Sequence, residues 1–135
     1  MKISELQLGD IVSCLGDPVR VVSLSLKGDE PIEIISPLKT IETFREEDVK
    51  PIPLTAAILE KNGFRCDTIG SGLILHIDNS ENRYVFVSFR HDGSSRHVEI
   101  EDGYYNLSVP VSYLHELQHA LRLVGLNNLA KNLKV

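Results

Sequence analysis

The sequence predicts an α+β chain: a small N-terminal β-barrel, then an antiparallel sheet covered by a C-terminal amphipathic helix. Three observations carry that expectation. Between residues 11 and 52, short Val- and Ile-rich runs alternate with Gly, Asp and Pro at close spacing, and no helical run exceeds a turn. Between residues 64 and 109, period-two runs are joined by Asp-Gly turns. From Tyr113 to Val124, apolar residues recur at i, i+3 or i+4 and i+7, and the run stops at Gly125. The pattern changes at Pro51-Ile52-Pro53, where proline fixes φ twice. The chain is accordingly divided into residues 1–53 and 54–135.

In the first part, Ser4-Glu5-Leu6-Gln7 predicts a single helical turn and Gly9-Asp10 a tight turn after it. Strands are expected at 11–14, 19–26, 32–36, 40–44 and 49–52. Gly16-Asp17-Pro18, Lys27-Gly28-Asp29-Glu30-Pro31 and Ser36-Pro37 separate them. Leu6-Gln7-Leu8-Gly9-Asp10-Ile11-Val12, followed by Gly16-Asp17-Pro18-Val19-Arg20-Val21-Val22, resembles the first two strands of an SH3-like barrel. Barrels of that kind bind peptides, nucleic acid or other domains, so the fold leaves function open. Phe44 is the only aromatic residue of this part, which argues against an aromatic groove for a Pro-rich peptide. Glu46-Glu47-Asp48 predicts a solvated turn.

In the second part, Thr55 can cap a short helix over 56–62 that ends at Gly63, with Ile58 and Leu59 inward. Strands are expected at 64–69, 72–78, 83–90, 96–101 and 104–109. Leu73, Leu75 and Ile77 alternate with an outward His76. In 83–90, Tyr84 and Phe86 share one face and Val85, Val87 and Phe89 the other, which predicts a central strand buried on both sides. Val98 and Ile100 point inward. Asp92-Gly93 closes a hairpin and brings His91 and His97 opposite each other as exposed residues. At least one of Tyr104 and Tyr105 is expected in the core. Ser112 is the expected N-cap of the 113–124 helix. Leu126, Leu129 and Leu133 predict a last helical turn or strand.

One segment of that helix looks like chemistry. His115-Glu116-x-x-His119 sets two imidazoles one turn apart with a carboxylate between them, the arrangement that binds zinc and supplies a general base in zinc peptidases. Three features oppose it. The histidines share a polar stripe with Gln118 and Arg122, so a fixed cation sits beside the metal position. No His, Asp, Glu or Cys follows His119, while a catalytic zinc takes three protein ligands. Arg122 and Gly125 stand where the metzincin pattern requires Gly and His. The expectation is a solvated helix face. The alternative is a zinc site of His115 and His119 with Glu116 as base and a third ligand from upstream, such as His76, His91, His97 or an acid.

Bulk properties narrow the partners. The 135-residue chain has a net charge of −5, which argues against general nucleic-acid binding. Residues 1–53 hold 6 basic and 10 acidic side chains, and residues 54–135 hold 8 and 9. Cys14 and Cys66 are far apart and are expected as small apolar fillers in a reducing cytoplasm. No signal-peptide core and no membrane-length apolar run is visible. Neither a P-loop nor a dinucleotide fingerprint occurs.

Three pieces in order, Lys2-Ile3-Ser4-Glu5-Leu6-x-Leu8-Gly9-Asp10, Pro51-Ile52-Pro53-Leu54-Thr55 with Leu59-Glu60-Lys61-Asn62-Gly63-Phe64, and Tyr113-Leu114-His115-Glu116-Leu117-Gln118-His119-Ala120-Leu121, resemble a group of small uncharacterised proteins encoded in prophages and mobile elements of gut bacteria. The resemblance implies a compact cytoplasmic accessory protein. It also implies that Glu116 carries no catalytic role, since the helix of that group often reads His-Gln-Leu-Gln. The sequence thus leads to a non-enzymatic binding or accessory module with a protein partner and no cofactor. A zinc-dependent hydrolase and a nucleic-acid-binding barrel are the alternatives.

Overall fold

The computed structural model describes residues 1–25, 28–35, 39–67 and 71–135. The chain is α+β and divides into two compact units, Met1–Ile52 and Pro53–Val135. Each is built on an antiparallel sheet of five described strands. Among the described residues no helix is long and apolar enough to cross a membrane.

The N-terminal unit comprises β1 (Ile11–Cys14), β2 (Asp17–Leu24), β3 (Ile32–Ile35), β4 (Ile41–Phe44) and β5 (Val49–Lys50), in the order β4-β3-β2-β1-β5. The expected strands at 19–26 and 32–36 extend at Leu26 and Ser36 outside the described residues. β1 and β2 meet through Leu15 and Gly16, both at positive φ, the conformation that a two-residue hairpin loop of matching twist requires. Alternate residues then fall on one side. Val12, Cys14, Val19, Val21, Ile32, Ile34 and Val49 form one cluster with Leu6, and Met1, Leu24 and Phe44 pack at its margin. A register shift between Val21 and Ser23 bends β2, so the sheet curls round that core. The buried Cys14 thiol of β1 is pushed up to about 11, first by burial and then by Asp48 and by Glu42 of β4, three strands away in the sheet. No bridge joins β4 to β5 among the described residues, so the sheet is open where a closed barrel was expected.

Two carboxylates shape this unit. Asp10 is fully buried, and its Oδ2 accepts the Gln7 N–H at 2.7 Å. Its carbonyl accepts the Val21 N–H at 2.9 Å, so the Gly9-Asp10 turn is knitted to β2. Glu46 is half-buried and not a solvated charge. Its Oε1 accepts the Ile3 N–H at 2.6 Å, and its carbonyl accepts the Met1 amino group at 2.7 Å. The expected solvated turn is a 3-10 turn, Glu46–Asp48, in which only Glu47 and Asp48 are exposed.

The C-terminal unit runs α1 (Ala56–Lys61), β6 (Arg65–Cys66), β7 (Gly72–His76), β8 (Tyr84–Phe89), β9 (Ser95–Glu101), β10 (Asn106–Pro110), α2 (Leu114–Leu123) and α3 (Asn127–Asn132). The order β10-β9-β8-β7-β6 is a meander with β8 at its centre. Thr55 caps α1 by accepting the Ile58 N–H at 3.3 Å. The expected strand at 64–69 is described only as the two residues of β6, with Thr68 and Ile69 outside the described residues. Leu73, Val87 and Val98 lie in one register row and Val85 and Ile100 in the next, and all five are buried. α2 packs on β9 and α1 on β7. The buried Leu114, Leu117, Ala120 and Leu121 give α2 the apolar stripe that covers this face.

Several expectations need correction here. β8 is not buried on both sides: Val85 and Val87 are enclosed, while Tyr84 and Phe86 are half-exposed. Tyr113, not Ser112, is the N-cap of α2; Ser112 instead donates its N–H to Glu116 Oε2 at 3.4 Å. Tyr104 and Tyr105 are both exposed, because the turn after Asp102 ends β9 before either reaches the core. Cys66 is exposed on the short edge strand β6, whereas Cys14 is the buried filler expected.

Leu117→Ala should lower stability by about 2–5 kcal/mol, because it opens a cavity under a fully buried side chain. Leu123→Ala, at an exposed position of the same helix, should change it by less than about 0.5 kcal/mol. Chemical denaturation of both variants checks the contrast.

Candidate functional site

The segment that looked catalytic is packed into the helix layer. His115 is 6 % exposed and Gln118 0 %, so the polar stripe of α2 is not the solvated face that was expected. α3 folds back onto α2, and Gln118 Nε2 donates to the Ala130 carbonyl at 3.2 Å. The His115 ring stacks on Tyr113, with centroids 5.9 Å apart, and meets the half-buried His119 edge-on at 5.5 Å. Two imidazoles at that spacing can share a metal, but among the described residues no group of three or more His, Cys, Asp or Glu converges to hold one. Glu116 reaches back to the Ser112 N–H, the position of a capping-box carboxylate. The upstream histidines lie elsewhere. His76 Nδ1 is 3.0 Å from the Ser80 carbonyl, His91 is exposed beyond the end of β8, and His97 is in β9.

A different cluster emerges on the second face of the C-terminal sheet. The β8–β9 hairpin pairs Tyr84 with Glu101, Phe86 with Glu99 and Ser88 with His97. β7 adds Ile74 beside Phe86 and Gly72 beside Ser88. An added Cβ on Gly72 would run into the Phe86 ring and the Val87 carbonyl, so the absent side chain is what lets that ring lie flat along β7. Tyr84, Phe86, Ser88, His97, Glu99 and Glu101 are all half-exposed. His97, expected to face His91, faces Ser88 instead: its Nδ1 is 3.1 Å from Ser88 Oγ, and its Nε2 is 3.6 Å from Glu99 Oε1.

Ser88, His97 and Glu99 lie in series across the two strands. Ser88 Oγ also donates to the His97 carbonyl at 3.3 Å, and the tautomer of His97 decides which partner donates between Oγ and Nδ1. The trio is a cross-strand clamp that holds Glu99 beside Phe86. Glu101 has no ion-pair partner among the described residues. What the face offers is two aromatic rings, each directly opposite a carboxylate.

Next to its turn the hairpin is centred on Asp92, with Phe89 opposite Ser95 and the Arg90 N–H donating to the Ser94 carbonyl. A register shift between Ser88 and Phe89 then sets Ser88 opposite His97 and Phe86 opposite Glu99.

The two turns that frame β9 are fixed by carboxylates. Asp92 is held below its usual range chiefly by the Ser94 hydroxyl, 2.6 Å from Oδ1, and by the Ser94 N–H. Asp102 is held below its usual range by the N–H groups of Tyr105 at 2.6 Å and Tyr104 at 2.9 Å. Arg83 Nε donates to the Asp102 carbonyl at 2.8 Å, tying the end of β9 to the start of β8. A carboxylate with a lowered folded-state pKa stabilises the fold above its ordinary value of 3.8 and loses that contribution as pH falls through the lower folded value. Stability of the wild type measured from about pH 5 down to about pH 2 should therefore fall more steeply than that of Asp102→Asn, whose amide keeps an acceptor but does not titrate.

Protein-family models, curated proteins and solved structures were all compared with this chain, and none matches it.

Proposed function

We propose that this chain is a non-enzymatic binding module whose C-terminal unit takes a cationic segment of a protein partner on the second face of its sheet. The observation that carries this reading is the pairing of Tyr84 with Glu101 and Phe86 with Glu99 in adjacent rows. A guanidinium or ammonium group over an aromatic ring gains about 0.5–2 kcal/mol, and a carboxylate beside the ring adds a charge-assisted hydrogen bond. The two ring–carboxylate units are two residues apart along each strand, roughly 6.6–6.8 Å. An extended peptide repeats its same-side residues at that interval, so the matching segment carries Arg or Lys at i and i+2. Nucleic acid is a poor occupant, because carboxylates line the face and repel phosphate.

The N-terminal unit supports the same class of function. Four strands in a meander, a 3-10 turn and a fifth strand returning to β1 are consistent with an SH3-like half-barrel. Its single core cluster and the register shift in β2 agree with a sheet bent round one side. The sequence resemblance to prophage and mobile-element proteins supports a cytoplasmic accessory role for such a module.

The test is an NMR titration of the isotope-labelled full chain with a short peptide bearing arginine at alternate positions. A serine-substituted peptide serves as control. Shift changes should centre on Tyr84, Phe86, Glu99 and Glu101, and Glu99→Gln with Glu101→Gln should weaken binding by about tenfold or more. Binding that leaves this face unperturbed, or that the double variant does not weaken, would contradict the reading.

A further inference from the structure

We propose that the exposed edge of β4 in the N-terminal unit is a strand-addition site for an extended segment of a partner protein in which aliphatic and basic residues alternate. This edge is independent of the face assigned above.

β4 ends its sheet, so one side of its backbone has no neighbouring strand among the described residues. Natural edges are usually blunted by shortness, proline, lysine or a bulge, because an open row of N–H and C=O groups invites pairing. The other described edges follow that rule. β5 and β6 are two residues long, and β10 ends in Pro110. β4 has no proline and no basic residue, and it keeps regular register with β3 over four pairs.

The side chains on this edge fit an occupant. Ile41 is 67 % exposed and sits directly opposite Ile35, 41 % exposed. Neither belongs to the core cluster, so two β-branched side chains stand together on the outer face with no part in the interior. An aliphatic residue on an added strand would bury both. Glu42 points to the opposite face from Ile41, and Glu33 lies opposite Thr43, whose hydroxyl donates to Glu30 at 2.5 Å. None of Glu30, Glu33 and Glu42 has an ion-pair partner among the described residues. The charge selects the occupant. A second copy of this edge would set Glu42 and its acidic neighbours against their own images, which is destabilising across a ladder. On a strand of alternating aliphatic and basic residues, the aliphatic side chains share the outer face with Ile41 and Ile35 and the basic ones share the other face with Glu42.

The experiment uses the full chain carrying Glu99→Gln and Glu101→Gln, so that the C-terminal face cannot account for binding. Hydrogen exchange of β4 amides is followed with an acetylated peptide of alternating valine and lysine, and with its valine–glutamate counterpart. The valine–lysine peptide should slow exchange in β4 and leave β10 unchanged. Ile41→Lys and Glu42→Lys, both at exposed positions, should each weaken binding by about tenfold, with thermal melts confirming that the variants fold. Protection absent from β4, or equal binding of both peptides, would overturn the proposal. A concentration-dependent dimer of the free chain that Ile41→Lys abolishes would also overturn it, by assigning the edge to a second copy.

Discussion

Everything on both faces of the C-terminal sheet depends on one hairpin register, β8 against β9. Strand side chains alternate with a period of two, so a single choice of register settles both faces at once. With Phe86 opposite Glu99, Val85, Val87, Val98 and Ile100 fall together on the buried side. The same choice sets Tyr84, Phe86, Glu99 and Glu101 together on the other. A slip of one residue would bury Glu99 under α2 and expose Val98. The hydrophobic requirement of the core therefore fixes the geometry of the polar face without any force acting on that face directly. Asp92, Asp102 and Arg83 pin the two ends of the hairpin, and the Ser88–His97 clamp holds its middle.

The helix layer shows how burial on two sides turns a suspected active site into structure. α2 uses its leucines against the sheet and offers Gln118 to α3 on its flank. A short helix that packs on another helix and on a sheet has little solvated surface left. His115 is enclosed for that reason, between Tyr113 and His119. Glu116 is spent at the N-terminus of the helix, where the exposed backbone N–H groups favour a carboxylate. The N-terminal unit obeys a different rule, since among the described residues it has no α-helix to cover its sheet. Its core lies on one side of the bent sheet, and β4 pairs only with β3 among the described residues.

Features set by local chemistry were legible in the sequence. Thr55 as a cap, Gly63 and Gly125 as helix stops, the Asp92-Gly93 turn and the strand order follow from short-range rules, and the structure has them, although β7 stops at His76 and β10 begins only at Asn106. Features set by what packs against an element were not. The burial of Gln118 depends on the return of α3, which a few leucines near the C-terminus only hint at. The burial of Asp10 depends on β2 arriving to accept and donate around the Gly9-Asp10 turn. The exposure of Tyr104, Tyr105 and Cys66 depends on where β9 and β6 stop. The aromatic–carboxylate face lay between these cases: its residues were read individually, but their pairing depends on the register shift between Ser88 and Phe89, which no turn residue announces.

Interstrand nuclear Overhauser effects across the β8–β9 hairpin test the central claim most directly. The register described here predicts backbone contacts linking Phe86 with Glu99 and Val87 with Val98. Hα–Hα or HN–HN contacts linking Phe86 with Val98 or with Ile100 would contradict it, and would dissolve the paired rings and carboxylates on which the binding face rests.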